Sequence, residues 1–246
     1  MPSTLAPSLK PPPDRLYGRA RGHKLRPRQI RLLSATLPRI AFPPEAAAIP
    51  LTAFARPVSA LWLEVGFGSG EHIRAQAAAH PDIGMIASEV FENGICALLS
   101  QLIPEDDEAT APLPPNLRLW PDDARILLRA LPDASLDRLF LLFPDPWPKP
   151  RHAKRRFVHP ALLPELARVL KPRAEWRVAT DDPTYQTWVN DVMAGQDAFD
   201  TPAPISTRPI GWPPTRYETK AQRAGRSPLY WSFTRRGTTM PGNLHR

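Results

Sequence analysis

Between residues 60 and 194, five short apolar runs are each followed by a segment with helical spacing. This alternation limits the fold more than any other feature of the chain. "ALWLEVG" (60–66) leads into "EHIRAQAAAH", and "IGMIASEV" (83–90) into "ENGICALLSQL", where Ile95, Leu98, Leu99 and Leu102 share one helical face. "NLRLW" (116–120) leads into "DARILLRAL", "LDRLFLLF" (136–143) into "HPALLPELARVL", and "AEWRVATD" (174–181) into "PTYQTWVNDVMAG". A strand that returns parallel to its neighbour needs a crossover, and the crossover helix has to lie back on the sheet. Five such units predict one α/β domain, doubly wound, with a mostly parallel sheet covered on both faces. The last apolar run, "LYWSF" (229–233), has no helix after it and is expected to be antiparallel at the sheet edge. Neither an internal repeat nor an independent second domain is visible.

The 33 prolines punctuate this pattern. Residues 1–40 are expected to be a flexible basic N-terminal arm. Residues 1–14, with "KPPPD", read as disordered or extended, and Leu25, Ile30, Leu32 and Leu33 suit a short helix formed on binding or against the body. Residues 41–246 then form the domain, including a basic C-terminal region. "PEDDEATAPLPP" (104–115) reads as a surface loop.

Charge is segregated. Residues 10–31, 149–156 and 208–246 together hold 21 Lys and Arg against 2 acids, while the remainder holds 11 against 22. An acidic body with three separated basic patches suits a polyanion that touches several places. The lone Cys96 excludes an internal disulfide and fits a reducing compartment. No run reaches the ~18 apolar residues of a membrane helix, and the N-terminus lacks an apolar signal region, so a cytoplasmic soluble protein is expected. Six histidines and one cysteine without ligand spacing predict no metal site.

"LEVGFGSG" puts Glu64, Gly66, Gly68 and Gly70 between the first strand and its helix, where backbone can pass close to a ligand and helix N–H groups face it. A dinucleotide turn would place glycine at position 71, which is Glu71, and Glu64 would repel a pyrophosphate. The expected ligand is cationic and has no phosphate there. S-adenosylmethionine, with a sulfonium and an ammonium, meets both conditions. Glu89 at the end of the second strand suits the two ribose hydroxyls. Asp123 suits an adenine amino group, although Asp122 can take that part and either acid can cap the following helix.

The fourth strand delivers "FPDPWPKPRHAKRR" (143–156) to the carboxyl edge of the sheet. Prolines restrict themselves and their predecessors, so Asp145 and Trp147 are presented with little freedom. A purine lying on Trp147 would gain about 1–3 kcal/mol from stacking. A carboxylate can accept from guanine N1–H and N2–H₂, whereas adenine N1 offers no donor. Lys149, Arg151, Lys154, Arg155 and Arg156 can hold phosphates, with His152 beside them.

The set "LEVGFGSG", "ASEV", "DDA", "LFLLFPDPWPKPRHAKRR", "ATDDPTY" and "TRYETKAQRAG", in order over about residues 61–233, resembles the tRNA (guanine-N7-)-methyltransferase family. The resemblance implies a seven-stranded class I methyltransferase sheet, S-adenosylmethionine as donor, and N7 methylation of a guanosine in the tRNA variable loop. By motif position it implies Glu64, Glu89, Asp123 and Asp145 at the donor, with Asp145 also catalytic. It further implies Lys149, Asp181, Thr215, Arg216, Tyr217 and Glu218 at the substrate, and Arg151 to Arg156 at RNA. One departure is Ala87, which stands where the family usually has glycine. Guanine N7 carries a free lone pair, so no general base is needed, and Asp145 or Asp181 would steady the cationic purine that forms. Asp181 and Asp182 compete for the cap of the next helix. The rivals are an amino-group methyltransferase, whose motif the order Asp145-Pro146-Trp147-Pro148 spoils, and a non-catalytic RNA-binding protein. Oligomeric state stays open.

Overall fold

The apolar runs become strands of one sheet in the computed structural model, which describes residues 22–237. These are β1 (Ala60–Val65), β2 (Ile83–Ser88), β3 (Leu117–Trp120), β4 (Leu136–Leu142), β5 (Leu170–Thr180), β6 (Phe199–Asp200) and β7 (Leu229–Arg235). Their order is β3-β2-β1-β4-β5-β7-β6. The first five are parallel, β7 runs antiparallel to β5, and β6 runs antiparallel to β7. β7 is therefore antiparallel as expected but is not outermost. That place falls to β6, whose two residues are too few to leave a period in the sequence.

Helices α1 (Pro27–Arg31), α2 (Leu37–Ile40), α3 (Glu71–Ala79), α4 (Glu92–Leu102), α5 (Ala124–Ala130), α6 (Leu163–Val169), α7 (Pro183–Ala194) and α8 (Arg216–Arg223) complete the architecture. Strand alternation sends side chains to opposite faces. Leu61, Leu63, Leu139 and Leu141 join Leu127 of α5, Leu166 of α6 and Val189 of α7 on one side. Trp62, Met85, Phe140 and Leu142 join Ile73 of α3 and Leu98 and Leu99 of α4 on the other. Each large side chain so buried stabilises the fold by about 1.5–3 kcal/mol. Ala87 is fully buried on this second face.

The chain leaves β1 in one direction to β2 and β3, then returns to the opposite side of β1 at β4. Such a reversal opens a crevice at the carboxyl ends of the strands, where open α/β sheets bind ligands. The glycine turn after β1 and the proline-rich segment after β4 both empty into it.

Of the arm expected over 1–40, residues 1–21 lie outside the described range, as do residues 238–246 of the basic C-terminal region, and within residues 22–40 the chain takes the alternative of a helix against the body. From Pro27 the chain is helical, with a π-turn at Leu32–Thr36. Leu32 and Ile40 are fully buried against the second face. Phe42 N–H donates to the Leu119 carbonyl at 2.7 Å. The acidic loop holds this segment down: Glu108, 4% exposed, receives Arg31 at 3.2 Å and Arg28 at 3.5 Å, and Thr36 Oγ1 donates to its carbonyl at 2.7 Å. Pairing between cations near residue 30 and one acid near residue 108 leaves no local pattern in the sequence.

Candidate active site

The crevice holds a cavity of about 350 Å³ whose walls include Gly66, Gly68, Glu89, Asp123, Asp145 and Tyr217. The turn after β1 needs glycine for two reasons. Gly68 has φ +58°, and a Cβ there would meet the Tyr217 ring at 2.9 Å. Gly94, in the first turn of α4, would bring a Cβ to 2.6 Å from the Gly68 carbonyl. Sequence reasoning does not reach Gly94, because a glycine inside a helix shows its purpose only against what crosses it.

Glu89 is gripped by backbone. Its carboxylate accepts from Gly68 N–H at 2.9 Å, Val90 N–H at 2.8 Å and Phe91 N–H at 3.0 Å. Burial pushes its pKa up, the three N–H donors oppose that rise, and the charge of Asp145 adds to it. A buried acid whose ionisation a second carboxylate makes costlier favours a cationic guest beside it. Asp123, not Asp122, lines the cavity. It also caps α5, accepting from Arg125 N–H at 2.9 Å, and its second oxygen lies 3.3 Å from the Arg125 guanidinium. Sequence reasoning misses Arg125. The available signal is a cation in the first turn of a helix, where the dipole disfavours it.

Glu64 is placed elsewhere than expected. It is 3% exposed, does not line the cavity, and sits 2.7 Å from His72 Nδ1, whose Nε2 faces Gln76 at 3.2 Å. This buried chain backs the glycine turn from the α3 side. Gly70, with φ +83°, caps α3 there.

After β4 the backbone is strained where it presents the acid. Phe143 has φ +52° and Trp147 φ +44°, conformations that cost non-glycine residues of order 1–3 kcal/mol each and cluster at functional sites. Asp145 between them is exposed on the cavity wall. Trp147 shares the wall, with Arg155 4.8 Å over its ring and the His152 ring 5.8 Å away, edge-on. Lys149, Arg151 and Lys154 are exposed beside it, the last two on a 3-10 turn (Pro150–Arg155). Burial, then Arg155 and the other neighbouring cations, lowers the pKa of His152, so it adds no charge to the patch near neutrality. Arg156, expected at the RNA with its neighbours, is placed apart from the exposed cations. It is 4% exposed, its guanidinium donates to the carbonyls of Pro146 and Trp147, and it lies over Trp188.

At the end of β5 the two acids divide their work. Asp182 caps α7 through Tyr185 N–H at 2.9 Å, and Asp181 pairs with Arg226. Along α8 the expected substrate contacts separate too. Tyr217 reaches the cavity; Thr215 caps the helix through Glu218 N–H; Arg216 is exposed with its guanidinium 5.7 Å from the Tyr217 ring. Glu218 is 5% exposed and accepts from Arg208 at 3.0 Å, turned inward because Arg208 and Tyr230 hold it.

The donor set suits S-adenosylmethionine: acids for hydroxyl and amino groups, mutual repulsion that a sulfonium relieves, and room for a nucleoside. Among the described residues no cluster of His, Cys, Asp and Glu could hold a metal, and no helix is long and apolar enough to cross a membrane.

Residues 59–229 match a family described as "Putative methyltransferase". The chain is 64% identical to a tRNA (guanine-N(7)-)-methyltransferase of Granulibacter bethesdensis, over 93% of this chain and 98% of that protein. It is 48% identical to the protein of that description from Rhodospirillum rubrum, over 96% and 94% respectively. The crystal structure of the 16S rRNA methyltransferase KamB superposes with a TM-score of 0.52 at 17% identity, over 73% of this chain and 89% of that one, a likeness of fold. Sequence, fold and crevice agree, and the chain belongs to the tRNA (guanine-N7-)-methyltransferase family.

Proposed function

We propose that this protein transfers a methyl group from S-adenosylmethionine to N7 of a guanosine in the variable loop of tRNA, in the cytoplasm. One observation carries the reading: an acid-lined cavity at the strand reversal has Asp145, Trp147 and Arg155 in its wall, and the same segment of chain carries the exposed cations Lys149, Arg151 and Lys154. The 64% identity to a protein of that activity supports it.

When bound, the donor supplies an electrophilic methyl on its sulfonium. The chain's residues do the rest by placement. Glu89, already held by three N–H groups, would accept from the donor's ribose hydroxyls without reorganising, and Asp123 would accept from its adenine amino group. Gly66 and Gly68 let backbone approach, and Tyr217 covers the turn. Asp145 accepts from the N1–H and N2–H₂ edge of the guanine while positive charge develops on the purine, which stabilises that charge electrostatically. No residue needs to take a proton from N7. Lys149, Asp181 and Arg216 flank the base, and Arg151, His152, Lys154 and Arg155 face the polynucleotide. Glu64 takes part only from behind the turn, through His72.

The test is to incubate the protein with unmodified tRNA transcript and labelled donor, digest, and identify the nucleoside by mass. N7-methylguanosine is expected. Label on an exocyclic amino group, or none despite donor binding, would overturn the reading in favour of an amino-group enzyme or a non-catalytic RNA-binding protein.

A further inference from the structure

The cation run ends in a residue that faces the wrong way for its neighbours' work. Arg156 is 4% exposed, while Arg151 and Lys154 are open to solvent. Its Nε donates to the Pro146 carbonyl at 3.0 Å, and its Nη2 donates to the Trp147 carbonyl at 3.0 Å. The guanidinium carbon lies 4.7 Å from the centroid of the Trp188 ring on α7, and the Trp188 indole N–H donates to the Val158 carbonyl. The two carbonyls bracket Trp147, whose φ of +44° is left-handed and whose successor is Pro148. A residue held there persists only if its surroundings over-determine it. At the other end of the segment, Phe143 N–H is tied to the Ala179 carbonyl at 2.7 Å. Asp145 lies between these two ties.

We infer that Arg156 is a positioning residue: it clamps the backbone that presents Asp145 and Trp147, and it is not part of the RNA surface. The inference rests on the function proposed above for its kinetic consequence, but the clamp itself does not depend on that function. The chemistry selects arginine. Two carbonyls that flank one strained residue need two donors in a fixed plane, and the guanidinium also lies over the Trp188 ring; a lysine ammonium offers a point charge without that fork. Prolines 144, 146 and 148 remove the backbone N–H groups that would otherwise tie this segment to its surroundings. The clamp therefore uses the carbonyls, which are what the segment has left.

The charge-preserving substitution Arg156→Lys separates the two roles. An RNA contact would survive it with little change. A clamp would not: displacing Asp145 by about an ångström should cut kcat roughly a hundredfold. The tRNA dissociation constant and the salt dependence of binding should stay near wild type. Arg151→Ala and Arg155→Ala should instead lower the salt slope by about 0.7–0.9 for each phosphate that the wild-type side chain neutralises. Backbone amide order parameters at Asp145 and Trp147, read by NMR relaxation in the absence of tRNA, should fall in Arg156→Lys from the rigid range of about 0.85 toward about 0.6. If Arg156→Lys does not fold, Trp188→Leu decides, because it removes the ring beneath the guanidinium and leaves the guanidinium itself: lower order parameters at the same two amides support the clamp. Unchanged order parameters, or a lowered salt slope with kcat intact, would overturn it. Should the order parameters respond as expected while the wild type forms no N7-methylguanosine, the functional proposal fails and the clamp stands.

Discussion

Replacing Gly94 with alanine sets two effects of similar size against each other, and the structure decides between them. In a free helix alanine is better than glycine by about 1 kcal/mol. Here the new Cβ would stand 2.6 Å from the Gly68 carbonyl oxygen and 3.5 Å from Glu89 Cγ. Ordinary contact begins near 3.4 Å, so turn and helix must part by about 0.8 Å. The obstacle is backbone, which cannot rotate aside as a side chain would, and such overpacking costs about 1–3 kcal/mol. The net expectation is a loss of stability of up to about 2 kcal/mol. A second effect should appear in donor binding. Gly68 N–H is one of the three donors that hold Glu89, and hydrogen bonds to a charged group contribute about 1.5–3 kcal/mol. Losing half of that contribution weakens affinity for S-adenosylmethionine roughly three- to tenfold. Denaturant unfolding and calorimetric titration measure the two quantities separately. Gly195→Ala is the control, since its Cβ would find no atom nearer than 3.9 Å. A Gly94→Ala protein that gains about 1 kcal/mol and binds donor like wild type would refute the crossing of helix and turn.

Two further outcomes follow from the division of acids. Asp182→Ala removes a helix cap and should cost about 1 kcal/mol in unfolding experiments while tRNA affinity holds, whereas Asp181→Ala should reverse that pattern. The pKa of Glu89 is raised by burial, so the folded protein holds that proton more tightly than the unfolded chain. The stability it contributes is present below the ordinary glutamate range and is lost as pH rises through the raised value. Affinity for the donor should run the opposite way, falling as pH drops through the same interval, and Glu89→Gln should abolish that pH dependence in calorimetric titrations.

The strand and helix sequence from Ala60 to Ala194 is legible because each element shows its own period, and the crevice follows from the position of two glycine- and proline-rich breaks. What escapes is pairing at a distance. Nothing within "KRR" distinguishes Arg156 from Arg155, since the difference lies in the carbonyls of Pro146 and Trp147 that fold over one of them. Adjacent acids are ambiguous for the same reason: Asp122 and Asp123, or Asp181 and Asp182, differ only in which one meets the first turn of the following helix. Their motifs point to Glu64 and Glu218 as ligand contacts, yet partners on α3 and on the segment before α8 turn both inward.

The stretch 104–115 has the make-up of an expendable insertion, acidic and rich in proline. Because Glu108 seats Arg28, Arg31 and Thr36, trimming it would release the opening helices from the second face and uncover Leu32 and Ile40. A designer shortening this protein, or grafting its catalytic half onto another, would have to carry that acidic hook and its helical catch together as a single part.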